Sequence, residues 1–304
     1  MTARAILATS CAYFALNAVS QCLVSGTADL DQAQQLLLAQ DFDLGYGTQP
    51  PLYTWVMHTA FMVTGPSLRA LYAFKVLLLT LLIAGAIRVG QRLGLEGKQL
   101  LLAIVGFAFL PQFVWESQRD LTHSLLASVC AMWTLAVFLR LKVRPDVAGY
   151  VRLGVCIGLG LLGKYNYSFF IAGLGLAALS IPETRPVVLN RYSLIASAVA
   201  LMLVLPHAVW VWGHRAAASA SVEKLGLDAI YGTGLLGLAN AAFQFAFPLL
   251  VAWLVSARGR RNVSSDTHFL IRLLLVIAGL LAVFVLVSGT TQVKDRWLQP
   301  LLFF

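Results

Sequence analysis

The sequence has few charged residues. Only 12% of its 304 residues are Asp, Glu, Lys or Arg, whereas 59% are hydrophobic. Soluble domains carry about 25% charged and roughly 45–50% apolar residues, so this composition excludes an ordinary soluble domain. Apolar runs of about 20 residues recur along the whole length, as in a polytopic membrane protein. The runs are continuous rather than alternating, which favours helices over a β-barrel.

Cysteine and histidine are also scarce. The four cysteines lie inside apolar runs and form no Cys-x-x-Cys pair, so neither a disulfide framework nor a zinc site is indicated. The five histidines are scattered and form no metal motif. The net charge is +9, but no basic and aromatic platform of the kind that binds single strands is present. We therefore predict no nucleic-acid partner and a lipid bilayer as the surroundings.

The apolar runs predict about nine to ten helices in a single transmembrane domain over residues 1–304. The stretch 150–181 is too long for one of them, since at 1.5 Å per residue it would extend about 48 Å, whereas the hydrocarbon core is about 30 Å thick. We predict two short helices that meet at Lys164. The predicted runs are 5–24, 68–90, 99–115, 121–139, 150–163, 165–181, 192–212, 233–256 and 269–288, with a tenth beginning at Trp297.

The positive charges divide unevenly between the loops on the two sides of the membrane. With the chain split at Lys164, twelve Lys and Arg residues fall on one side and six on the other. The positive-inside bias predicts that the side with twelve is cytoplasmic. The external side then carries the polar segments Asp29–Trp55, Arg119-Asp120, Lys164-Tyr165, His207–Arg215 and Lys294–Pro300.

The longest polar interval runs from Asp29 to Trp55. It holds four acidic residues in two Asp-x-Asp pairs, and it contains no Lys or Arg. Such carboxylates could act as a general base on a hydroxyl or hold a divalent cation; the alternative is solvated charge near a helix start. Residues 31–40 predict a short helix, and the three leucines 36–38 could lie in the membrane interface.

Two cationic segments are further candidates. Lys164 lies between apolar helices at membrane depth, where a charge costs at least about 2.5–3.5 kcal/mol, so it is a functional-site candidate. Its natural partner is an anion such as a lipid phosphate, and the alternative is a snorkelling lysine. Arg119-Asp120 could place a second carboxylate opposite the first, or could mark a helix start. The aromatic residues near His207 and Trp297 also suit an interfacial belt.

Taken in chain order, these motifs resemble one family: the polyprenyl-phosphate-sugar-dependent glycosyltransferases of the dolichyl-phosphate-mannose protein mannosyltransferase-like group (glycosyltransferase family 39, GT-C fold). Gln32 stands where the family usually has Glu, and Thr48-Gln49 stands where it has an acidic or histidine-containing pair. The family's chains continue with more helices, so we expect this sequence to lack the C-terminal part. The matching segments are Asp31-Gln32-Ala33, Tyr46–Trp55, Arg119-Asp120, Gly158–Tyr165, Pro206–Trp212 and Trp297–Pro300.

The resemblance implies an all-α, multi-pass GT-C helix bundle in a bacterial inner membrane, with a partly helical first loop and an active site facing the periplasm. The implied reaction transfers a sugar from an undecaprenyl-phosphate-linked donor, with inversion, to lipid A, lipopolysaccharide, another glycan or a protein. Asp31 is then the expected base and Asp120 a second catalytic acid, while Lys164, helped by Arg119 or Arg296, stabilises the departing phosphate. Further substrate contacts are expected from Asp29, Tyr46, Gln49, Tyr53, Trp55, Tyr165, His207 and Trp297.

Cofactor use and two other function classes stay open at this point. A divalent cation is compatible with the carboxylates, although no motif requires one. A transporter or flippase of a lipid-linked sugar would show polar groups and broken helices near mid-membrane, often in repeated halves; the charges here gather at one face without a repeat, which favours an enzyme. A non-catalytic membrane subunit would agree with Gln32 and Thr48.

Overall fold

The computed structural model describes residues 1–119, 123–220, 233–256 and 265–303, and for residues 252–256 and 296 it describes the backbone alone. Within these ranges the regular structure is helical throughout, as predicted. The α-helices are α1 (Ala3–Val24), α2 (Leu30–Leu38), α3 (Leu52–Thr64), α4 (Leu68–Arg92), α5 (Gly97–Gly106), α6 (Ser117–Arg119), α7 (His123–Val143), α8 (Val147–Gly163), α9 (Tyr167–Ser180), α10 (Arg185–Val188), α11 (Ser193–Gly213), α12 (Arg215–Ser219), α13 (Thr233–Ser256), α14 (Ser265–Ser288) and α15 (Gln299–Leu302).

In the described part of the chain, six helices are long and apolar enough to cross a membrane, namely α1, α4, α7, α11, α13 and α14. Helix α7 is the centre of the bundle, since 83% of its span is buried against 11% for α1 and 17% for α11. It packs against α4 and α8, while α1 packs on α4 and α14 on α9. A helix that is apolar on all sides, as α7 is, suits this interior position.

The two ends of α7 define two faces of the bundle. At one end Lys142 donates to Asp266 at 2.5 Å, and Arg140 donates to Asp146 at 2.5 Å. The hydrogen bond from Arg140 is the main reason that the pKa of Asp146 is lowered to about 2. The other end carries residues 25–67, the first loop, and we call it the first-loop face.

The chain turns at Lys164, which confirms the predicted split of the stretch 150–181. Helix α8 ends at Gly163 and α9 begins at Tyr167, while Lys164 itself is extended with φ −163° and ψ 135°. At 17 and 14 residues, the two helices are only about 25 and 21 Å long. Lys164 is thereby placed at the first-loop face.

The apolar run 99–115, predicted as one helix, is broken into two parts in the structure. The chain breaks at Leu110-Pro111, and the parts Gly97–Phe109 and Gln112–Arg119 make an angle of 79°. Proline has no N–H to continue the helix and pushes the preceding residue out of the helical region; Leu110 is accordingly extended, with φ −99° and ψ 109°. The bend brings the end of the second part against α1 and α4.

Helix α2 confirms the short helix predicted over residues 31–40. Its buried residues are polar, Gln32 and Gln35. Leu30 and Leu37 point outwards instead, with 85% and 70% of their surface exposed. A helix that turns amides to the protein and Leu30 and Leu37 away from it suits the membrane interface, while Leu36 packs against the core. The buried amides are therefore available to build the site beneath the helix.

Candidate active site

The start of α2 is tied to the end of the bent segment. The backbone N–H of Asp29 donates to Gln32 Oε1 at 3.2 Å, and Gln32 Nε2 donates to the carbonyl of Arg119 at 3.3 Å. The ammonium of Lys75, buried in α4, donates to the same carbonyl. Asp29 Oδ1 and Arg119 Nη2 lie 3.8 Å apart, and the guanidinium lies over the Trp115 ring at 5.8 Å. Asp29 and Arg119, both expected at the site, are therefore neighbours.

This arrangement explains why residue 32 is Gln, where the family usually has Glu. Its amide nitrogen donates to a carbonyl oxygen, which the carboxylate of a glutamate could not do because it carries no hydrogen to donate. Gln32 is also 2% exposed, so a charge there would be desolvated. The amide is the side chain that this position accommodates.

A second layer of hydrogen bonds joins α2 and α3 to the start of α7. Thr54 Oγ1 donates to Gln35 Oε1 at 3.0 Å, and Gln35 Nε2 lies 3.3 Å from His123 Nε2. Because the amide nitrogen can only donate, His123 Nε2 is the acceptor and the ring hydrogen is on Nδ1. The Tyr53 ring packs on the His123 ring with centroids 5.4 Å apart, and only 1% of Tyr53 is exposed. Tyr53 thus supports His123 from the interior.

Asp31 and Lys164 are linked through this Tyr53–His123 pair. Burial is the main cause that raises the pKa of Tyr53, and the charge of Asp31 raises it further. The ammonium of Lys164 donates to the hydroxyl of Ser124 and lies near enough to His123 to act on it electrostatically. The charges of one carboxylate and one ammonium therefore act on the same pair of rings at the first-loop face.

Hydrogen bonds and ring contacts of Tyr165 and His207 hold the first loop against α11. His207 Nδ1 donates to the carbonyl of Leu44 at 2.8 Å, so its Nε2 is the acceptor that takes the Tyr165 hydroxyl at 3.0 Å. The ring of His207 is stacked between Tyr165 and Trp210, with centroids 5.9 and 6.0 Å away. Gly45 packs against Trp210 so closely that a Cβ would lie 2.2 Å from the ring. These contacts fix the loop beside the Lys164 turn.

The side chains of Tyr46 and Trp55 stabilise the tip of the first loop. The Tyr46 hydroxyl donates to the carbonyl of Asp41 at 2.9 Å and accepts from the backbone N–H of Asp43 at 2.8 Å. Burial is the main cause that raises the pKa of Tyr46. Trp55 Nε1 donates to the carbonyl of Asp43 at 2.6 Å, and its ring stacks on Phe42 at 5.8 Å. The polar atoms of both aromatic residues are thus engaged within the loop.

The segment 295–303 also packs at the first-loop face. Asn166, two residues after Lys164, donates through Nδ2 to the carbonyl of Trp297 at 2.7 Å. Gln112 Nε2 donates to Asp295 Oδ2 at 3.0 Å. Trp297 is therefore beside the Lys164 turn, where a substrate contact was expected.

Three expected site residues need separate statements. Asp120 lies outside the described residues, as does the side chain of Arg296, whose backbone belongs to the helical turn Asp295–Trp297. Gln49 is half-buried immediately before the buried prolines that start α3. In the ranges that the structure covers, no group of three or more His, Cys, Asp or Glu side chains could hold a metal ion. The divalent cation stays a prediction.

Several residues of the site were not among the predicted ones. Lys75 carried a usable signal, since an ionisable residue inside a membrane helix is a functional candidate. Gln32 and Gln35 stand three residues apart, which places them on one side of a helix. His123 and Ser124 gave no signal of their own, because only the tertiary contacts with Gln35 and Lys164 set them apart.

Comparison with known proteins gives consistent matches. The sequence profile described as "Dolichyl-phosphate-mannose-protein mannosyltransferase" matches residues 48–210. Two lipopolysaccharide core galacturonosyltransferases of Rhizobium johnstonii (strain DSM 114642 / LMG 32736 / 3841) are similar. RgtB is 36% identical, over 98% of this chain and 63% of its own length, and RgtA is 35% identical, over 96% and 61%.

A third similar protein is the lipid A galacturonosyltransferase RgtD of the same organism, 31% identical over 61% of this chain and 38% of its own length. No solved structure matches the chain. The chain spans about three fifths of the length of RgtB and RgtA.

Proposed function

Because the chain belongs to the dolichyl-phosphate-mannose-protein mannosyltransferase family, we propose that it acts as a membrane glycosyltransferase. The donor is an undecaprenyl-phosphate-linked sugar, and transfer inverts the anomeric carbon. The names of the similar proteins support galacturonic acid or a related acidic sugar as the group transferred, and lipopolysaccharide core or lipid A as the acceptor. The positive-inside bias supports a bacterial inner membrane with the first-loop face towards the periplasm.

The observation that carries this proposal is that helix α2, which holds Asp31, and Lys164 both contact the start of α7, at His123 and Ser124 respectively. Sugar transfer from a lipid phosphate needs a base at the acceptor hydroxyl and a cation at the leaving phosphate. Both groups have to lie within the length of one sugar phosphate, since otherwise they cannot act on the same transition state. A single transmembrane domain over residues 1–304 would hold them there.

In the proposed reaction Asp31 removes the proton of the acceptor hydroxyl as that oxygen attacks the anomeric carbon. The bond between this carbon and the phosphate oxygen breaks, and the lipid phosphate leaves with the electron pair. Lys164 stabilises the negative charge that grows on the phosphate, which a fixed cation does best in a site protected from water. Arg119 or Arg296 assists, and Asp120 positions the acceptor or donor.

Neighbouring residues would hold these groups in place. Ser124 accepts a hydrogen bond from Lys164, and the His207 contacts fix the first loop next to Tyr165. Fixed positions matter because small displacements of catalytic groups reduce the rate strongly. Gln49, Tyr46, Trp55 and Trp297 lie on the loop and segment that border this region, where they could contact the sugar or the prenyl chain.

The test uses the purified protein in lipid nanodiscs with undecaprenyl phosphate carrying radiolabelled galacturonic acid and a lipopolysaccharide core acceptor. We expect label in the acceptor and release of unsubstituted undecaprenyl phosphate. Asp31→Asn should lower the rate by about 10²–10⁴-fold, whereas Asp43→Asn, another acid of the same loop, should have little effect. Full activity of Asp31→Asn would remove the assigned base. In closed proteoliposomes, an uncleaved donor that crosses the membrane would indicate a transporter.

A further inference from the structure

Two buried amides on the protein side of α2 hold this short helix in place. It has nine residues, and isolated helices shorter than about 12 residues are marginal in water, so its contacts decide its orientation. Gln32 Nε2 donates to the Arg119 carbonyl at 3.3 Å, and Gln35, one turn later, is 2% exposed. On the outer side, the apolar contacts of Leu30 and Leu37 have no preferred direction. The amides therefore set the orientation of α2.

Gln35 uses both ends of its amide. Its Oε1 accepts from Thr54 Oγ1 of α3 at 3.0 Å, and its Nε2 donates to His123 Nε2 of α7 at 3.3 Å. Thr54 is itself 1% exposed. An apolar residue at this buried position would avoid the cost of desolvating an amide, but hydrogen bonds act along defined directions. Gln35 therefore contributes orientation that apolar packing does not supply.

Asp31 lies on the same side of α2 as Gln35. The two residues are four apart, which corresponds to about 6 Å along the helix and about 40° around it, and Asp31 is half-buried. The end of a side chain lies about 5–6 Å from the helix axis, so a rotation of about 10° displaces it by about 1 Å. A displacement of about 1 Å can lower a rate about 10²-fold. The rotation of α2 thus decides whether the carboxylate reaches a substrate.

The start of α7 is the common support of the two charged groups. His123 accepts from Gln35, and the next residue, Ser124, accepts from the ammonium of Lys164. Helix α7 is the most buried of the six candidate spans, and Ser124 is 4% exposed, so this support belongs to the close-packed interior. The helix that carries Asp31 and the turn that carries Lys164 are therefore bonded to consecutive residues.

We propose that Gln35 is a positioning residue of the transfer reaction. Its bonds to Thr54 and His123 fix the rotation of α2 and hold the Asp31 carboxylate at a set distance from the Lys164 ammonium. The inference rests on the proposed function, because it takes Asp31 as the base and Lys164 as the cation at the phosphate. In this role Gln35 acts on the rate through Asp31, without contacting the substrate.

The main test is a double-mutant cycle of Gln35 and Asp31, measured by transfer of labelled sugar in nanodiscs. Gln35→Met keeps the length of the side chain and removes both bonds. We expect it to lower kcat by about 10–100-fold and to change KM by less than about twofold. In the Asp31→Asn background the same change should lower the remaining rate by less than about twofold, because no base is left to position. Gln34→Met, on the exposed side of α2, is the control and should leave kcat near the wild-type value.

An exchange of donor and acceptor tests the hydrogen bond itself. Gln35→Glu places an acceptor opposite His123 Nε2, which is also an acceptor, and should lower kcat by at least about 10-fold. Adding His123→Gln supplies an amide nitrogen that donates, so the double variant should recover at least about fivefold over Gln35→Glu. General damage to packing would not be repaired in this way. Should Gln35→Met fail to fold, this pair of changes decides the question.

The tautomer of His123 gives a readout that does not depend on transfer. Because Gln35 Nε2 can only donate, His123 carries its hydrogen on Nδ1. Solid-state nitrogen NMR of the wild type with labelled histidine should show this tautomer at neutral pH, and the signal missing from His123→Gln assigns it. A hydrogen on Nε2 would overturn the inference, because two donors would then face each other.

The outcomes separate this inference from the proposed function. An equal loss from Gln35→Met with and without the Asp31 carboxylate would overturn the inference, since it would show general damage. A wild type that has the Nδ1–H tautomer but transfers no sugar would reject the proposed function, and with it the role in transfer, but not the bond between Gln35 and His123. A wild type that transfers sugar, depends on Asp31 and tolerates Gln35→Met would reject this inference alone.

Discussion

Replacement of Lys164 by methionine tests the centre of the proposed mechanism. Methionine keeps most of the length of the side chain and removes the ammonium, and with it the hydrogen bond to Ser124. Lys164 lies at the turn between α8 and α9 rather than inside a helix, so the change leaves both helices intact. The loss should fall on the step in which charge develops on the phosphate.

The magnitude follows from electrostatics in a site partly shielded from water. Two unit charges about 4 Å apart interact by about 4 kcal/mol at an effective dielectric constant of about 20. Removal of one donor that stabilises a developing anion costs about 2.7–4 kcal/mol, a factor of about 10²–10³ in kcat. We therefore expect Lys164→Met to lower kcat by about 10²–10³-fold, with a smaller change in KM, because the phosphate charge is greatest at the transition state.

The assay measures initial rates of labelled sugar transfer in nanodiscs, with the undecaprenyl-phosphate sugar varied at saturating acceptor. Lys142→Met, at the opposite face, is the matched control and should change kcat by less than about twofold. Lys164→Arg should recover part of the rate, since it restores the charge with a different shape. If Lys164→Met keeps a third or more of the wild-type kcat, the ammonium does not stabilise the leaving group.

Three other outcomes concern stability. Gln32→Glu replaces a buried donor by a carboxylate facing a carbonyl, so it should lower the free energy of unfolding by about 1–3 kcal/mol. Gln34→Glu, on the exposed side of α2, is the control and should not lower it. Thermal shift measures both variants. Gly45→Ala places a Cβ 2.2 Å from the Trp210 ring and should cost about 1–3 kcal/mol. The pKa of Asp146 is lowered to about 2, so its ion pair stabilises the fold at neutral pH and weakens as the pH falls from about 4 to 2. The difference in Tm between wild type and Asp146→Asn should shrink over that range.

Controls separate each of these effects from general damage. A Cβ at Gly26 would have no atom within 4 Å, so Gly26→Ala should leave Tm near the wild-type value. A Gly45→Ala variant as stable as Gly26→Ala would mean that the first loop does not dock on α11 as described. Arg140→Gln should reduce the pH dependence contributed by Asp146, because its guanidinium is the main cause of the lowered pKa, beside the backbone N–H of Gly149. An undiminished difference in Tm at pH 2 would contradict the ion pair.

The helices and the division between the two faces could be predicted from the sequence, because hydropathy and charge are local properties. A run of apolar residues has to bury itself or face lipid whatever its partners are, so the transmembrane helices could be predicted. Helix length against membrane thickness indicated that the stretch 150–181 breaks, and the cost of a charge inside the membrane placed the turn at Lys164. The bend at Pro111 was missed because a proline indicates that a helix breaks but not by how much the chain turns.

The site depended on contacts between residues far apart in the chain. Gln32 meets Arg119 across 87 residues, Gln35 meets His123 across 88, and His207 meets Leu44 across 163. No local sequence pattern indicates such pairs, because the role of an amide or an imidazole depends on the group against which it packs. The sequence by itself determined which residues reach the first-loop face, and the tertiary structure decided which of them touch, since hydrogen bonds act only over a few ångströms.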